Sequence, residues 1–385
     1  MVQKRKILFL HSGAELYGSD KILLEILKLL DKDKFEPLVV IPNKGVLEDE
    51  FKKYGIKYII YDFPILRRKY FNIKGIIIYI CKFFKSILYL NSIIKKYNID
   101  IITSNTLAVL EGAFYSKIFR IKHVWHIHEI IKEPKIMEKF YKKIVPYTAQ
   151  NAICVSNAVK DNLFSSKDED KVNINVIHNG INIERFNSNN TESIKKSLNI
   201  DNNRIIVGMV GRINKIKGQL FMVDVAKELV EKYPNILIIM VGGVFSGQES
   251  LKIELEEKIV KNNLEEHIKL FEFDKEIGKY YEIFDIFVLP SVKPDSFPTV
   301  VLEAMSYSKP IIAHVTGGVS EMVQDNENGI LIRNINISNT AKAIENLLID
   351  ENKRMIYGTK SRIIMEEKFS TKTFSEKINN FYLNI

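Results

Sequence analysis

Short runs of Ile, Val and Leu alternate along the chain with stretches in which apolar residues recur every three or four positions. The runs predict buried strands and the longer period predicts amphipathic helices. From the start the order reads strand 7–10, helix 19–30, strand 38–41, helix 46–54, strand 58–61 and a long basic helix over 73–97. Further strands are predicted at 99–103, 124–127 and 152–155. Strands this rich in Ile and Val, alternating with helices, indicate parallel sheets covered on both faces.

The rhythm resets across an Asn-rich stretch, 179–203, that lacks a strong apolar period. A second series of strands follows at 205–210, 236–241, 268–271, 286–289, 311–313 and 330–332, and helical segments fill 338–385. The expectation is two doubly wound α/β domains joined near 185–200, with a ligand cleft between them.

Composition narrows the classes. The 385 residues are 46% apolar and 27% charged, which excludes a collagenous, disordered or disulfide-stapled chain. Cys81 and Cys154, the two cysteines, lack metal-ligand spacing, which excludes a cysteine-built zinc site and fits a reducing compartment. The most apolar segment, 76–81, is stopped by Lys82, well short of the roughly 18–20 residues of a membrane span. The four apolar residues before His11 read as a first strand and not a signal peptide, so a cytoplasmic protein is expected.

Charge is unevenly placed. The net charge is +9, yet residues 1–150 alone hold 27 Lys/Arg against 15 Asp/Glu. Between Asp62 and Asp100 there is no acidic residue, while Arg67, Arg68, Lys69, Lys74, Lys82, Lys85, Lys95 and Lys96 all fall there. Such a half calls for an anionic partner: nucleic acid, a phosphorylated ligand or an acidic membrane surface. For 63–99 two readings stand side by side. One is a core-packed helix with a solvated basic face; the other is a basic helix with exposed aromatics, peripheral on the inner face of the cell membrane.

Four segments carry candidate chemistry. The turn His11–Lys21 leads from a strand into a helix with Gly13 and Gly18 beside it, a setting for an anion at backbone N–H groups. It is neither a P-loop nor a dinucleotide fingerprint, since Ser19 replaces the required lysine and the glycine spacing differs. The loop 210–218 places Arg212 and Lys217 at the C-terminal edge of a sheet, where they can pair with a diphosphate or simply face solvent. In 289–305 a strand ends at Pro290, a loop carries Asp295, and Pro298 opens a helix. Glu303, about two turns into that helix among Val300, Val301, Ala304 and Met305, needs a polar partner: a structural arginine or a ligand hydroxyl. Finally, His126 and His128 share one face of a strand, with His123 just before it. No further ligand set accompanies them, so positioned imidazoles are expected over a metal site.

In this order and spacing the segments resemble the nucleotide-sugar glycosyltransferases of family 4, which have the GT-B fold. The resemblance covers nearly the whole chain. It runs through Ile127-His128-Glu129, the 155–159 and 176–186 segments, Gly211-Arg212 with Lys217-Gly218, and Val241-Gly242-Gly243. It continues through 285–291, Asp295 to Glu303, Gly317-Gly318 with Glu321, and Asn328-Gly329. It implies an acceptor-binding Rossmann-like domain at 1–190, a donor-binding one at 191–362, and a C-terminal helix at 363–385 packing back on the first.

The resemblance also implies a retaining, metal-independent transfer with no cofactor. A UDP-, GDP- or similar nucleotide sugar would be the donor and a glycan or lipid-linked molecule the acceptor, in cell-surface polysaccharide or glycolipid synthesis. Arg212 and Lys217 would bind the diphosphate, aided by backbone N–H groups of Thr299 and Val300, and Glu303 the ribose. Asp295 and His128 would be the catalytic pair at the transferred sugar, and Gly18 would approach the phosphate or acceptor. Two positions depart from the family: Asp295 stands where Glu is usual, and Tyr17-Gly18 where paired glycines are common. Rival expectations are a sugar-nucleotide epimerase, for which no clear acid–base carboxylates appear, and a non-catalytic scaffold. A nucleic-acid-binding protein is disfavoured because no motif with interleaved exposed aromatics is present.

Overall fold

The computed structural model describes residues 3–16, 18–67, 70–182, 191–245 and 247–385. Tyr17, Arg68, Lys69 and the 183–186 end of the 176–186 segment, all singled out from sequence, lie outside the described residues.

In the first unit seven parallel strands form one sheet: β1 (Arg5–Leu10), β2 (Phe35–Ile41), β3 (Lys57–Ile60), β4 (Ile101–Ser104), β5 (Lys122–Ile127), β6 (Asn151–Cys154) and β7 (Asn173–Val176). Their order is β3-β2-β1-β4-β5-β6-β7. β1 shows why its sequence is a continuous apolar run. Ile7 and Phe9 pack into one core layer and Leu8 and Leu10 into the other, so both faces are buried. The first layer includes the helix Gly18–Leu29 and, from the chain's end, Phe374, Ile378, Phe381 and Tyr382. That spacing puts all four on one face of the helix Thr371–Asn384. The Tyr382 hydroxyl meets Thr103 Oγ1 at 2.9 Å.

The second unit is a six-stranded parallel sheet: β8 (Ile205–Val210), β9 (Ile236–Val241), β10 (Ile268–Phe271), β11 (Ile286–Leu289), β12 (Ile311–His314) and β13 (Gly329–Ile332). The order is β10-β9-β8-β11-β12-β13. In each sheet the chain runs outward to one edge and then restarts beside its first strand, between β1 and β4 and between β8 and β11. Such a reversal leaves a crevice at the carboxyl ends of those two strands, where ligands bind in open α/β sheets.

The units divide as Met1–Asn179 with Phe374–Ile385, and Gly180–Thr373. The change falls at Asn179 and not at 190, and residues 363–373 stay with the second unit. The reason is a short parallel bridge between Ile181 and Ser370, with Ile181 N–H donating to Phe369 O and Thr371 N–H to Ile181 O, both at 3.1 Å. Phe369 is buried there against Phe297. Among the described residues no helix is long and apolar enough to cross a membrane.

Candidate functional site

At the reversal of the second sheet, the loop after β8 is held by its own backbone. Asn214 Oδ1 accepts from Ile216 N–H at 2.8 Å and Lys217 N–H at 3.0 Å, which turns the chain back towards the sheet. Ile216 O then accepts from Val292 N–H at 2.8 Å, tying this loop to the one after β11. Gly218, with φ +84°, starts the helix Gln219–Val230 against Pro290, and an added Cβ would run into the Pro290 carbonyl. Gln219, buried, donates to Arg212 O at 2.9 Å. Arg212 is thus anchored at its backbone, and its guanidinium lies 3.7 Å from the ring centroid of Phe245.

The loop after β11 supplies the carboxylates. Asp295 pairs in parallel with Gly317 (φ +76°), where an added Cβ would collide with the Asp295 carbonyl. Gly318 N–H donates to that carbonyl at 2.9 Å. With its backbone pinned, Asp295 accepts an ion-paired hydrogen bond from Lys217 Nζ. Pro298 caps the helix Thr299–Ser306 at φ −70°, so Thr299 and Val300 are its first two residues and Glu303 its fifth. Glu303 sits somewhat over one turn in, less deep than the sequence suggested. A partner for its carboxylate is Tyr281, whose hydroxyl donates to Oε2 at 2.7 Å. Burial and then the Glu303 charge push the Tyr281 phenol well above its ordinary value, so it remains a donor.

At the reversal of the first sheet a different group collects. His11, just after β1, meets Asp20 Oδ1 through Nε2 at 2.5 Å and Asn105 Nδ2 through Nδ1 at 3.0 Å. Asn105, just after β4, reaches His126 Nδ1 at 2.9 Å and His128 Nε2 at 3.5 Å with its Oδ1. His126 ends fully buried, and desolvation pulls its imidazole down to about 3. His128 lies one residue past β5 and is driven well down for the same reason. Glu129 turns away to Thr106 Oγ1 and to the N–H groups of Leu107 and His128. His123 points elsewhere, to Ser104 Oγ at 3.0 Å. Gly18 is the exposed first residue of its helix, with nothing within 4 Å of an added Cβ.

Arg212, Lys217 and Asp295 therefore gather on two adjoining loops of the second unit, with Thr299, Val300 and Glu303 on the helix that follows the second loop, while His128 and Gly18 belong to the first unit. Sequence reasoning missed Asp20, Asn105, Phe245 and Tyr281. Of these, Asn105 had a usable signal: a polar residue directly after a buried apolar strand. Among the described residues no group of three or more His, Cys, Asp or Glu could hold a metal ion.

Two parallel, doubly wound sheets of this kind, each with its polar groups at the reversal, define the GT-B class of α/β proteins. Comparison with known proteins agrees. Anabaena Alr3699/HepE, crystallised in complex with UDP, superposes with a TM-score of 0.83 over 99% of this chain and all of its own, at 23% identity. Residues 18–185 match the family described as Glycosyltransferase Family 4 and residues 190–363 the one described as Glycosyl transferases group 1. The chain belongs to glycosyltransferase family 4. Among curated relatives, the capsular polysaccharide biosynthesis glycosyltransferase CapM of Staphylococcus aureus is 26% identical over 63% of each chain. The chain spans 52% of the spore coat protein SA of Bacillus subtilis, also at 26%. An Escherichia coli UDP-Gal:alpha-D-GlcNAc-diphosphoundecaprenol alpha-1,3-galactosyltransferase aligns over 96% of this chain and 94% of its own, at 24%.

Proposed function

We propose that this protein is a retaining glycosyltransferase that moves a sugar from a nucleoside-diphosphate sugar to a glycan or lipid-linked acceptor, without a divalent metal, in cell-surface polysaccharide or glycolipid synthesis. The observation that carries the proposal is the pair of loops after β8 and β11, which brings two cations, two carboxylates and a helix start to one sheet reversal. Arg212 and Lys217 hold the diphosphate and stabilise it as it leaves, the role a metal ion fills elsewhere. Thr299 and Val300, whose N–H groups have no carbonyl one turn earlier in their helix, add donors. Glu303 accepts from the ribose hydroxyls, and Asp295 and His128 contact the transferred sugar. Gly18 leaves open space where a phosphate or acceptor can approach. Support for the donor comes from the UDP complex of the Anabaena protein, and for the pathway from the roles of the S. aureus and E. coli relatives.

The acceptor side of the proposal rests on the helix Ile73–Tyr97. Ile73, Ile77, Ile80, Phe84 and Leu88 form one stripe along it, and all five are exposed, Ile73 by 80% and Leu88 by 73%. Exposed Lys74 and Lys85 both lie along one side of the stripe. An apolar stripe edged by lysines fits an anionic bilayer surface, where a lipid-linked acceptor resides.

A thermal-shift panel of nucleoside diphosphates and their sugars tests the donor site. A true donor at 100 times its dissociation constant stabilises by about 2.7 kcal/mol. Turnover with acceptor must then greatly exceed turnover without it, and the product anomer, read by NMR, must match the donor's. Full turnover without acceptor would make the enzyme an epimerase.

A further inference from the structure

The buried polar groups at the reversal of the first sheet form a chain in which each link has a direction. An ionised Asp20 carboxylate only accepts, so His11 Nε2, 2.5 Å away, carries the hydrogen. His11 Nδ1 faces the Asn105 amide nitrogen, which only donates, so this ring nitrogen is a bare lone pair. Asn105 Oδ1 only accepts, so the nitrogens it meets, His126 Nδ1 and His128 Nε2, carry hydrogens. The His126 and His128 rings lie 4.1 Å apart, close enough to share that one oxygen.

We propose that Asn105 is a positioning residue that fixes His128 as its Nε2–H tautomer, leaving Nδ1 as the acceptor it offers to a ligand hydroxyl. The inference rests on the role proposed above for His128. Among the described residues no protein group takes up His128 Nδ1. A lone pair there accepts from a sugar hydroxyl; an N–H would instead select an acceptor.

Two features favour this direction over the reverse. His11, Asn105 and His126 are fully buried and Asp20 nearly so, so each group is held to the partners it has. Turning the amide over would put the hydrogen of neutral His126 on Nε2, which is buried without a partner. The observed direction leaves a bare lone pair there, and orphaned buried N–H groups are the rarer kind. The position also needs an amide. A carboxylate could serve His126 and His128 but could not donate to His11.

The test is nitrogen-15 NMR of the full chain labelled at histidine, with the His128 signals identified by their loss in His128→Gln. The proposal expects a protonated Nε2 and a bare Nδ1 for His128; the reverse pattern in the wild type overturns it. Asn105→Asp keeps the accepting oxygen and should keep that pattern. Asn105→Leu removes it at similar size and should give mixed tautomers, with kcat reduced roughly tenfold or more and donor KM unchanged. Transfer by Asn105→Asp should exceed that by Asn105→Leu, which a merely space-filling role would not produce. An unchanged His128 pattern in Asn105→Leu overturns the proposal; if that variant does not fold, the wild-type and Asn105→Asp patterns still decide. Altered tautomers with unaltered kcat would uphold the positioning role and remove His128 from the reaction, so the two claims fail separately.

Discussion

Lys217 and Asp295 form an ion pair between the loops after β8 and β11, each side chain about four-fifths buried. The resemblance to family 4 implies separate tasks for them, one on the diphosphate and one on the sugar. In the structure they occupy each other. On the roles proposed above, a donor diphosphate competes with Asp295 for Lys217, and the two contacts are coupled.

The coupling fixes the outcome of Asp295→Asn. Removing the charge frees Lys217, so nucleoside-diphosphate affinity measured by calorimetry should rise. Transfer should still fall about ten- to a hundredfold, the loss expected for one charge-assisted bond of roughly 1.5–3 kcal/mol made in the transition state. If Asp295 were only a turn residue beside Gly317, asparagine would serve equally well and full activity would remain.

Metal dependence separates the proposed diphosphate site from its alternative. Excess EDTA should leave transfer largely unchanged, and Arg212→Ala with Lys217→Ala should abolish donor binding with the fold retained. Loss of activity under EDTA that Mg²⁺ restores would sink the roles of Arg212 and Lys217.

The stripe on Ile73–Tyr97 predicts binding to acidic liposomes in low salt, read by flotation. Phe84→Glu and Leu88→Glu should weaken it, because both positions are exposed and each change adds a negative charge. No flotation of the wild type at low salt would remove the membrane from the proposal.

Much of the fold was legible because strands buried on both faces are plain apolar runs. Five of the six expected strands of the second series begin where the structure begins them, from Ile205, Ile236, Ile268, Ile286 and Ile311. β7 was not legible. It is an edge strand, Asn173-Ile174-Asn175-Val176, with one neighbour and no fully buried residue, so nothing demanded an apolar run. The second-unit candidates were legible because they stand in short motifs at strand ends. Tyr281 and Phe245 were not, since the contacts to Glu303 and Arg212 cross 22 and 33 positions of chain. Asn105 escaped for the same reason: its meaning lies in His11, His126 and His128, brought together only by parallel pairing of β1, β4 and β5.

Glu111 gives a stability prediction away from the site. It opens the helix Glu111–Phe119 and is fully buried, with the Ser86 side chain and the N–H groups of Leu110 and Glu111 as the polar neighbours of its carboxylate. Desolvation raises its carboxyl from 4.5 to about 8. Below pH 4.5 the folded and unfolded chains both hold the proton, and the group contributes nothing. Between 4.5 and about 8 the folded chain keeps a proton the unfolded chain has lost, so stability falls as pH rises, by about 1.4 kcal/mol per pH unit at most. Above that window both forms are ionised and the penalty is constant. Glu111→Gln carries no charge at any pH and should abolish this slope. The difference in unfolding free energy between variant and wild type should thus be smallest near pH 4.5 and grow in the variant's favour up to pH 8, other groups cancelling. If Glu111 instead stabilised its helix start as an anion, the difference would run against the variant as pH rises. Urea unfolding of both proteins at pH 4.5, 6 and 8 decides between the two signs.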